Sequence, residues 1–321
     1  MNFSEEGVTV ASVDSGFPAR TERVDPVGAL RKGWRGNSAQ DGKPACPNGA
    51  AKRAFPRKNT PSPERKRNPM TEVLWNRMTA ETLRGRAAEG AIVLLPVAST
   101  EQHGPHLATG VDDYLCSEAC RRVATLVAKT RPIVVAPTVW CGLAEHHVAF
   151  GGSFTLSLST YYALLRDLCQ SILRAGFEKI LIVNGHGGNI AALNTFTTEL
   201  ARELKAPIAT TTYIMGGIEE TKAILEDQDG IQHACEGETS MMMAVKPDLV
   251  DHSRLPEAHG ASLGLSAALA RPIHVWKSFK ELTASGVMGD ARRATPAKGE
   301  AILDACAKGI ADRILKGEPW V

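Results

Sequence analysis

The 321-residue sequence lacks any apolar run approaching the roughly 18 to 20 residues of a membrane-spanning helix, and its first residues hold no apolar stretch of secretory-signal length. These absences point away from a membrane partner and toward a cytoplasmic location. A dominant charge is missing too. The formal net charge is +2, which gives no electrostatic case for nucleic acid or anionic lipid and leaves a small-molecule substrate as the expected partner. No CxxC pair occurs among the seven cysteines, an odd set that suits reduced thiols better than a disulfide framework or a thiolate zinc site. Any metal must then be held by histidine and carboxylate.

What is present is ordinary globular usage, 43% hydrophobic and 22% charged, but unevenly spread. Residues 1–70 hold 13 Lys and Arg against 7 Asp and Glu, 8 of the 18 prolines, a single leucine (Leu30), and no Ile or Tyr. Such a segment cannot bury enough apolar surface to offset its ordering entropy, so a disordered, basic, Pro-rich extension is expected over 1–70 and a folded domain over 71–321. A basic arm for an acidic partner, through Lys52-Arg53 and Arg65-Lys66-Arg67, and a translation start at Met70 are the other readings of that segment.

From about residue 80 the pattern alternates strand and helix. Residues 91–98 (AIVLLPVA) form a continuous apolar run, as in a strand buried on both faces, and 133–136, 179–183 and 208–214 are further strand candidates. Helical spacing follows at Leu115, Ala119, Val123, Leu126 and Val127, over 161–173 with Gly176 beyond, at Ile190, Leu193, Phe196, Leu200 and Leu204, and at Ile302, Cys306, Ile310 and Ile314. Repeated alternation predicts an α/β fold, a mainly parallel sheet with helices on both faces.

Ligands of such sheets bind outside the carboxyl ends of the strands, and the polar oddities of this sequence lie there. The first strand runs into STEQHGPH (99–106), with Asp112 and Asp113 beyond. The third runs into NGHGGN (184–189), and HACEGETS (233–240) follows the fourth. Glu101 and His103 are two apart, so on an extended backbone both side chains point the same way, and Asp112 can return to them through the intervening loop. A carboxylate with two oxygens suits bridging of two ions, and imidazoles with terminal carboxylates suit zinc, manganese or iron. One His or Asp at a strand end is usually a turn or cap residue. Four such segments at one sheet edge predict a metal site. NGHGGN has neither the GxGxxG spacing nor the lysine of a nucleotide cradle. Ser99 and Ser240 do not stand in a GxSxG elbow. The Met241–Met243 run reads as helix packing, and Cys116 and Cys120 as buried thiols.

STEQHGPHL with Asp112, EHHVAFGGSFTLS at 145–157, NGHGGN and HACEGETS, in this order and spacing, resemble the creatininase (creatinine amidohydrolase) family over about residues 72–320. The resemblance implies a three-layer α/β/α metallohydrolase, assembled as a hexamer, with two divalent ions per subunit and a metal-bridged hydroxide as nucleophile. By position it implies Glu101, His103, Asp112 and His186 as ligands, with Asp112 bridging, and His233 in proton transfer. Beside such a centre His106 and the Asn184 amide read as groups orienting the ligands, with ordinary loop hydrogen bonding as the alternative. Creatinine-cleaving members carry a Glu where this chain has Gly188 and an apolar residue where it has Glu236. Glu236 is therefore the expected fifth ligand, and Glu238 the second choice. Aromatic residues of those members are replaced here by Gly187 and Asp229-Gly230. That departure implies hydrolysis of a small cyclic or formylated amide, with Glu145, His146, His147 and the bare Gly187 at the substrate. Creatinine itself, a cyclic keto-inositol, and a non-catalytic metal-binding or regulatory role are the alternatives.

Overall fold

Six consecutive apolar residues, buried on both faces, build the central strand β1 (Ile92–Val97) of the computed structural model, which describes residues 72–226, 228–262 and 275–320. β1 pairs in parallel with β2 (Ile133–Val135) on one side and β3 (Lys179–Asn184) on the other, and β4 (Ile208–Thr212) lies beyond β3. All four expected strands are therefore present, in the order β2-β1-β3-β4. The fourth is shorter than the 208–214 run because Tyr213 opens a 3₁₀ segment and its ring is buried, with the hydroxyl 4.0 Å from Met241 Sδ. The expectations for residues 1–70 lie outside the described residues.

Strand side chains alternate between two cores, as a period of two requires. Ile92, Leu94, Leu181 and Val183 face one core with the helices α2 (Val111–Val127), α6 (Glu236–Val245) and α8 (Pro296–Lys316). Val93, Leu95, Val97, Ile180 and Ile182 face the other, with α1 (Ala80–Ala88), α3 (Leu158–Arg174) and α4 (Ile190–Leu204). The result is the expected α/β/α sandwich. Local chemistry fixes the helices. Ser157 accepts from Thr160 N at 3.2 Å to start α3, whose buried stripe is Tyr161, Leu165, Cys169 and Ile172. Thr295 caps α8, Pro296 opens it, and Gly317 ends it in the left-handed conformation. Two shorter helices also lie among the described residues, α5 (Ile218–Ile224) and α7 (Phe279–Leu282).

The Met241–Met243 run is buried in α6, and the six cysteines among the described residues are free and buried. Burial pushes the Cys169 thiol up to about 12. Among the described residues no helix is long and apolar enough to cross a membrane.

β2 and β3, successive in sequence, flank β1 on opposite sides. The chain thus reverses its direction of sheet growth beside β1, and sheets of this kind place their ligand crevice at such a point, here outside the carboxyl ends of β1 and β3. The segments after those strands carry Glu101, His103 and His186.

Candidate metal centre

Four segments meet in this crevice, each held by local bonds. After β1 the chain is fixed by Glu101 N–H to Thr109 O at 2.9 Å and by a bridge between His103 and Leu107. Asp112 lies in the first turn of α2, where the helix dipole favours a carboxylate. Asn184, at the end of β3, accepts from His186 N at 3.1 Å and donates to His186 O at 2.7 Å, closing the turn. Gly185 lets that turn press on α2, since a Cβ there would sit 2.6 Å from Cys116 Cβ and 3.0 Å from Asp112 O. This approach sets His186 beside Asp112. The fourth segment enters α6 through Ala234 at φ 54°, and Glu238 in the first turn accepts from Ala234 N–H.

Asp112 is the centre of the arrangement. Its Oδ1 is 3.2 Å from His103 Nε2 and its Oδ2 is 3.1 Å from His186 Nδ1. Glu101 Oε1 joins the His186 side at 3.1 Å, and Glu238 Oε2 joins the His103 side at 3.7 Å. Donor atoms around a tetrahedral ion at about 2.0 to 2.1 Å are separated by about 3.3 Å. The three spacings of 3.1 to 3.2 Å lie close to that edge length, and the Glu238 spacing of 3.7 Å is longer. Both oxygens of Glu101, His103 Nε2 and Asp112 Oδ2 are buried yet have no hydrogen-bond partner, so these groups point at shared space rather than at one another.

The far nitrogen of each ligand histidine is tied to a main-chain carbonyl: His103 Nδ1 lies 3.1 Å from Glu101 O, and His186 Nε2 lies 3.1 Å from Leu143 O. A ring that donates there turns its lone pair to the centre, the arrangement a metal ligand needs. Electrostatics agree. Burial opposes charge on His103, but Asp112, Glu238 and Glu101 outweigh it and push the imidazole up to about 9. His186 is raised in the same way against burial, mainly by Glu101 and Asp112, and burial itself pushes Glu238 up to about 7. Three buried carboxylates whose ion pairs are with histidines gather protons where divalent cations would otherwise balance them. The donor set fits divalent metal.

Glu101, His103, Asp112 and His186 therefore come together as the sequence suggested. Glu236 does not. Its side chain is fully buried away from the cluster, paired with Lys298 of α8 and accepting from Glu226 N at 3.1 Å. Residues two apart on a helix point about 200° from each other, so only one of Glu236 and Glu238 can face the centre. That one is Glu238. Gly188 could not have supplied a ligand either, because a Cβ there would lie 2.5 Å from both His186 Nε2 and Leu143 O and 2.6 Å from His146 Cε1.

His233 reaches the cluster with Nδ1 3.6 Å from Glu101 Oε1 and its ring 4.2 Å from that of His103. Burial pushes its pKa well below the ordinary value. His146 stacks on His186, ring centroids 5.5 Å apart and 13° from parallel. Glu145 is exposed, and no described hydrogen bond or ion pair joins it to the cluster. Gly187 is exposed, with nothing within 4 Å of a Cβ built on it. His147, expected at the substrate, is buried beside the cluster, with Nε2 3.2 Å from Glu101 Oε1. His106 Nε2 meets Thr239 Oγ1 at 2.7 Å, tying the first segment to α6. Phe279 was missed by sequence reasoning; its ring centroid lies 4.2 Å from that of His147 and 4.9 Å from that of His233. No spacing signal marks it, because it arrives from a distant segment.

The sequence model of the family described as "Creatininase: Creatinine amidohydrolase" matches residues 76–314. A mycofactocin precursor peptide peptidase of Mycolicibacterium smegmatis is 32% identical over 232 residues, covering 71% of this chain and 86% of that one. A creatinine amidohydrolase of Pseudomonas putida is 28% identical over 274 residues, covering 77% and 96%. A crystal structure of creatinine amidohydrolase superposes with a TM-score of 0.67 at 27% identity, covering 77% of this chain and 98% of that one.

Proposed function

The chain belongs to the creatininase family, and from that premise we propose that it is a hydrolase using two divalent ions to cleave a small cyclic or formylated amide. The observation that carries the reading is Asp112, whose two oxygens face different histidines and so suit a bridge between two ions. Glu101 and His186 would complete one side, His103 and Glu238 the other. Charge supports the number: two divalent ions balance three carboxylates and one hydroxide. Nitrogen and oxygen donors without thiolate suit zinc, manganese or iron.

Ions bound there would supply Lewis acidity toward a substrate carbonyl and lower the pKa of a water toward about 7. The remaining work falls to the chain itself. His233 Nε2 lies 2.7 Å from Gln102 O and donates to it, which leaves the Nδ1 lone pair facing the centre. Nδ1 is thus the atom that takes the proton of the attacking water and delivers it to the leaving nitrogen, a role typically contributing about 10²- to 10⁴-fold. The ring of Phe279 against His147 and His233 excludes water from their outer side.

The open space at Gly187 and Gly230 supports a substrate other than creatinine, since neither position offers an aromatic wall. The similarity to a peptidase favours a second reading, cleavage at the end of a short peptide. Turnover of creatinine, a hydantoin, a formamidopyrimidine, a keto-inositol and a short peptide by the metal-loaded protein tests both. The expected result is highest turnover on a cyclic or formylated amide. A tenfold preference for creatinine, about 1.4 kcal/mol of transition-state binding, would overturn the substrate assignment.

A further inference from the structure

We propose that Gln102 fixes the proton on Nε2 of both His147 and His233, and that the rings consequently present a donor and an acceptor side by side, matched to the N–H and C=O edge of a cis amide. The inference rests on the proposed amide hydrolase and narrows its substrate to amides held cis, as in a small ring.

The orientation of the Gln102 side chain is settled at both ends. Gly104 N–H donates to Oε1 at 2.9 Å, and Nε2 donates to Gly286 O at 3.1 Å. The loop is shaped around this amide, since Gly286 has φ 81° and a Cβ there would lie 2.1 Å from Gln102 Oε1. The second hydrogen on Nε2 then goes to His147 Nδ1 at 2.9 Å. Nδ1 must carry a lone pair to accept it, so His147 is neutral and its proton is on Nε2. His233 Nε2 also lies 3.1 Å from Gln102 Nε2, but its own proton goes to Gln102 O at 2.7 Å, and two donors do not bond to each other. Both rings are therefore Nε2–H tautomers.

They are turned oppositely. His147 directs Nε2–H inward, 3.2 Å from Glu101 Oε1, whereas His233 directs its bare Nδ1 inward, 3.6 Å from the same oxygen. Neither contact is a hydrogen bond, because both Glu101 oxygens are without a hydrogen-bond partner. The two nitrogens lie beside the same carboxylate oxygen without bonding to it, and one atom each from Glu101, His147 and His233 lies within 4.8 Å of the others. A protonated nitrogen has no lone pair for a metal, so His147 is a donor to substrate rather than a further ligand. In a ring amide, N–H and C=O lie on one side and can meet His233 and His147 together on binding. In an ordinary trans amide they point apart. When attack makes the nitrogen pyramidal, its N–H turns out of the amide plane and frees the His233 lone pair for the water's proton, which then passes to that nitrogen. The donor on His147 would bond most strongly as the carbonyl oxygen gains charge, which makes it a catalytic residue.

The test uses zinc-loaded protein with ¹⁵N-labelled histidine, read by long-range ¹H–¹⁵N correlation during titration with 2-pyrrolidinone (cis) or N-methylacetamide (trans). Expected are neutral Nε2–H tautomers for both rings, with His147 Nε2 and His233 Nδ1 shifting for the lactam only. A proton on His147 Nδ1, an imidazolium, or equal response to both amides would overturn the proposal. In steady-state assays on a hydantoin, His147→Phe should lower kcat by about 10²- to 10³-fold with zinc content unchanged, and His147→Gln, which keeps an N–H near that place, should recover at least tenfold. Loss of an ion in His147→Phe would make the residue a ligand and refute the assignment. Absence of hydantoin turnover by the unaltered protein would count against the proposed function, and the titration would still decide the present inference.

Discussion

Glu236 and Glu238 offer the sharpest test of the ligand assignment, through Lys298. Glu236 is fully buried, and its carboxylate has two partners, Lys298 Nζ and Glu226 N–H. Lys298→Met removes the compensating charge and leaves a carboxylate stranded in the interior, a change that typically costs about 3 to 5 kcal/mol. At about 2 to 4 °C per kcal/mol for a domain of this size, the melting temperature should fall by about 6 to 20 °C. Glu236→Leu strands less, because Lys298 keeps Glu226 and Arg293 O as partners at the surface. The double variant Glu236→Leu/Lys298→Met removes both charges together and should recover most of the loss, since a buried pair replaced by apolar groups of similar volume is often nearly neutral. All three proteins should retain the metal content of the unaltered chain. Thermal denaturation with elemental analysis checks this. A Lys298→Met protein as stable as the double variant, or loss of an ion in Glu236→Leu, would refute the reasoning and return Glu236 to the ligand set.

Glu238→Gln removes the carboxylate on the His103 side and should lose one ion with most activity, measured by elemental analysis and turnover. Exhaustive chelation should lower the melting temperature, and zinc or manganese at a hundredfold excess over Kd should restore about 2.7 kcal/mol; an unchanged melting temperature would mean that the buried carboxylates need no cation. Gly188→Glu should not create creatinine-cleaving activity, because its Cβ would collide with the His186 to Leu143 contact, and should cost about 1 to 3 kcal/mol by overpacking, read by denaturant titration. A chain starting at Met70 should keep the same oligomeric size and turnover, given the poverty of residues 1–70 in aliphatic side chains; loss of assembly on size exclusion would contradict this.

The order of residues alone determined the strands, the helix stripes, the edge of the sheet where chemistry collects, and four members of the cluster. Those features are local or periodic. Apolar runs and stripes at a fixed period fold the same way wherever they lie, and Glu101 and His103 share a side because an extended backbone alternates every two residues. Tertiary packing decided the rest. Glu236 and Glu238 both lie in the first turn of α6, and only the docking of that helix against α8 turns Glu236 to Lys298 and Glu238 to His103. The roles of His147 and His233 depend on which nitrogen meets Gln102, and the amide of Gln102 is itself fixed by Gly286, 184 residues away in sequence. Phe279 reaches the same rings from a segment whose pattern carries no chemistry. Hydrogen-bond direction and helix rotation are set by what lies opposite, and residue spacing does not encode what lies opposite.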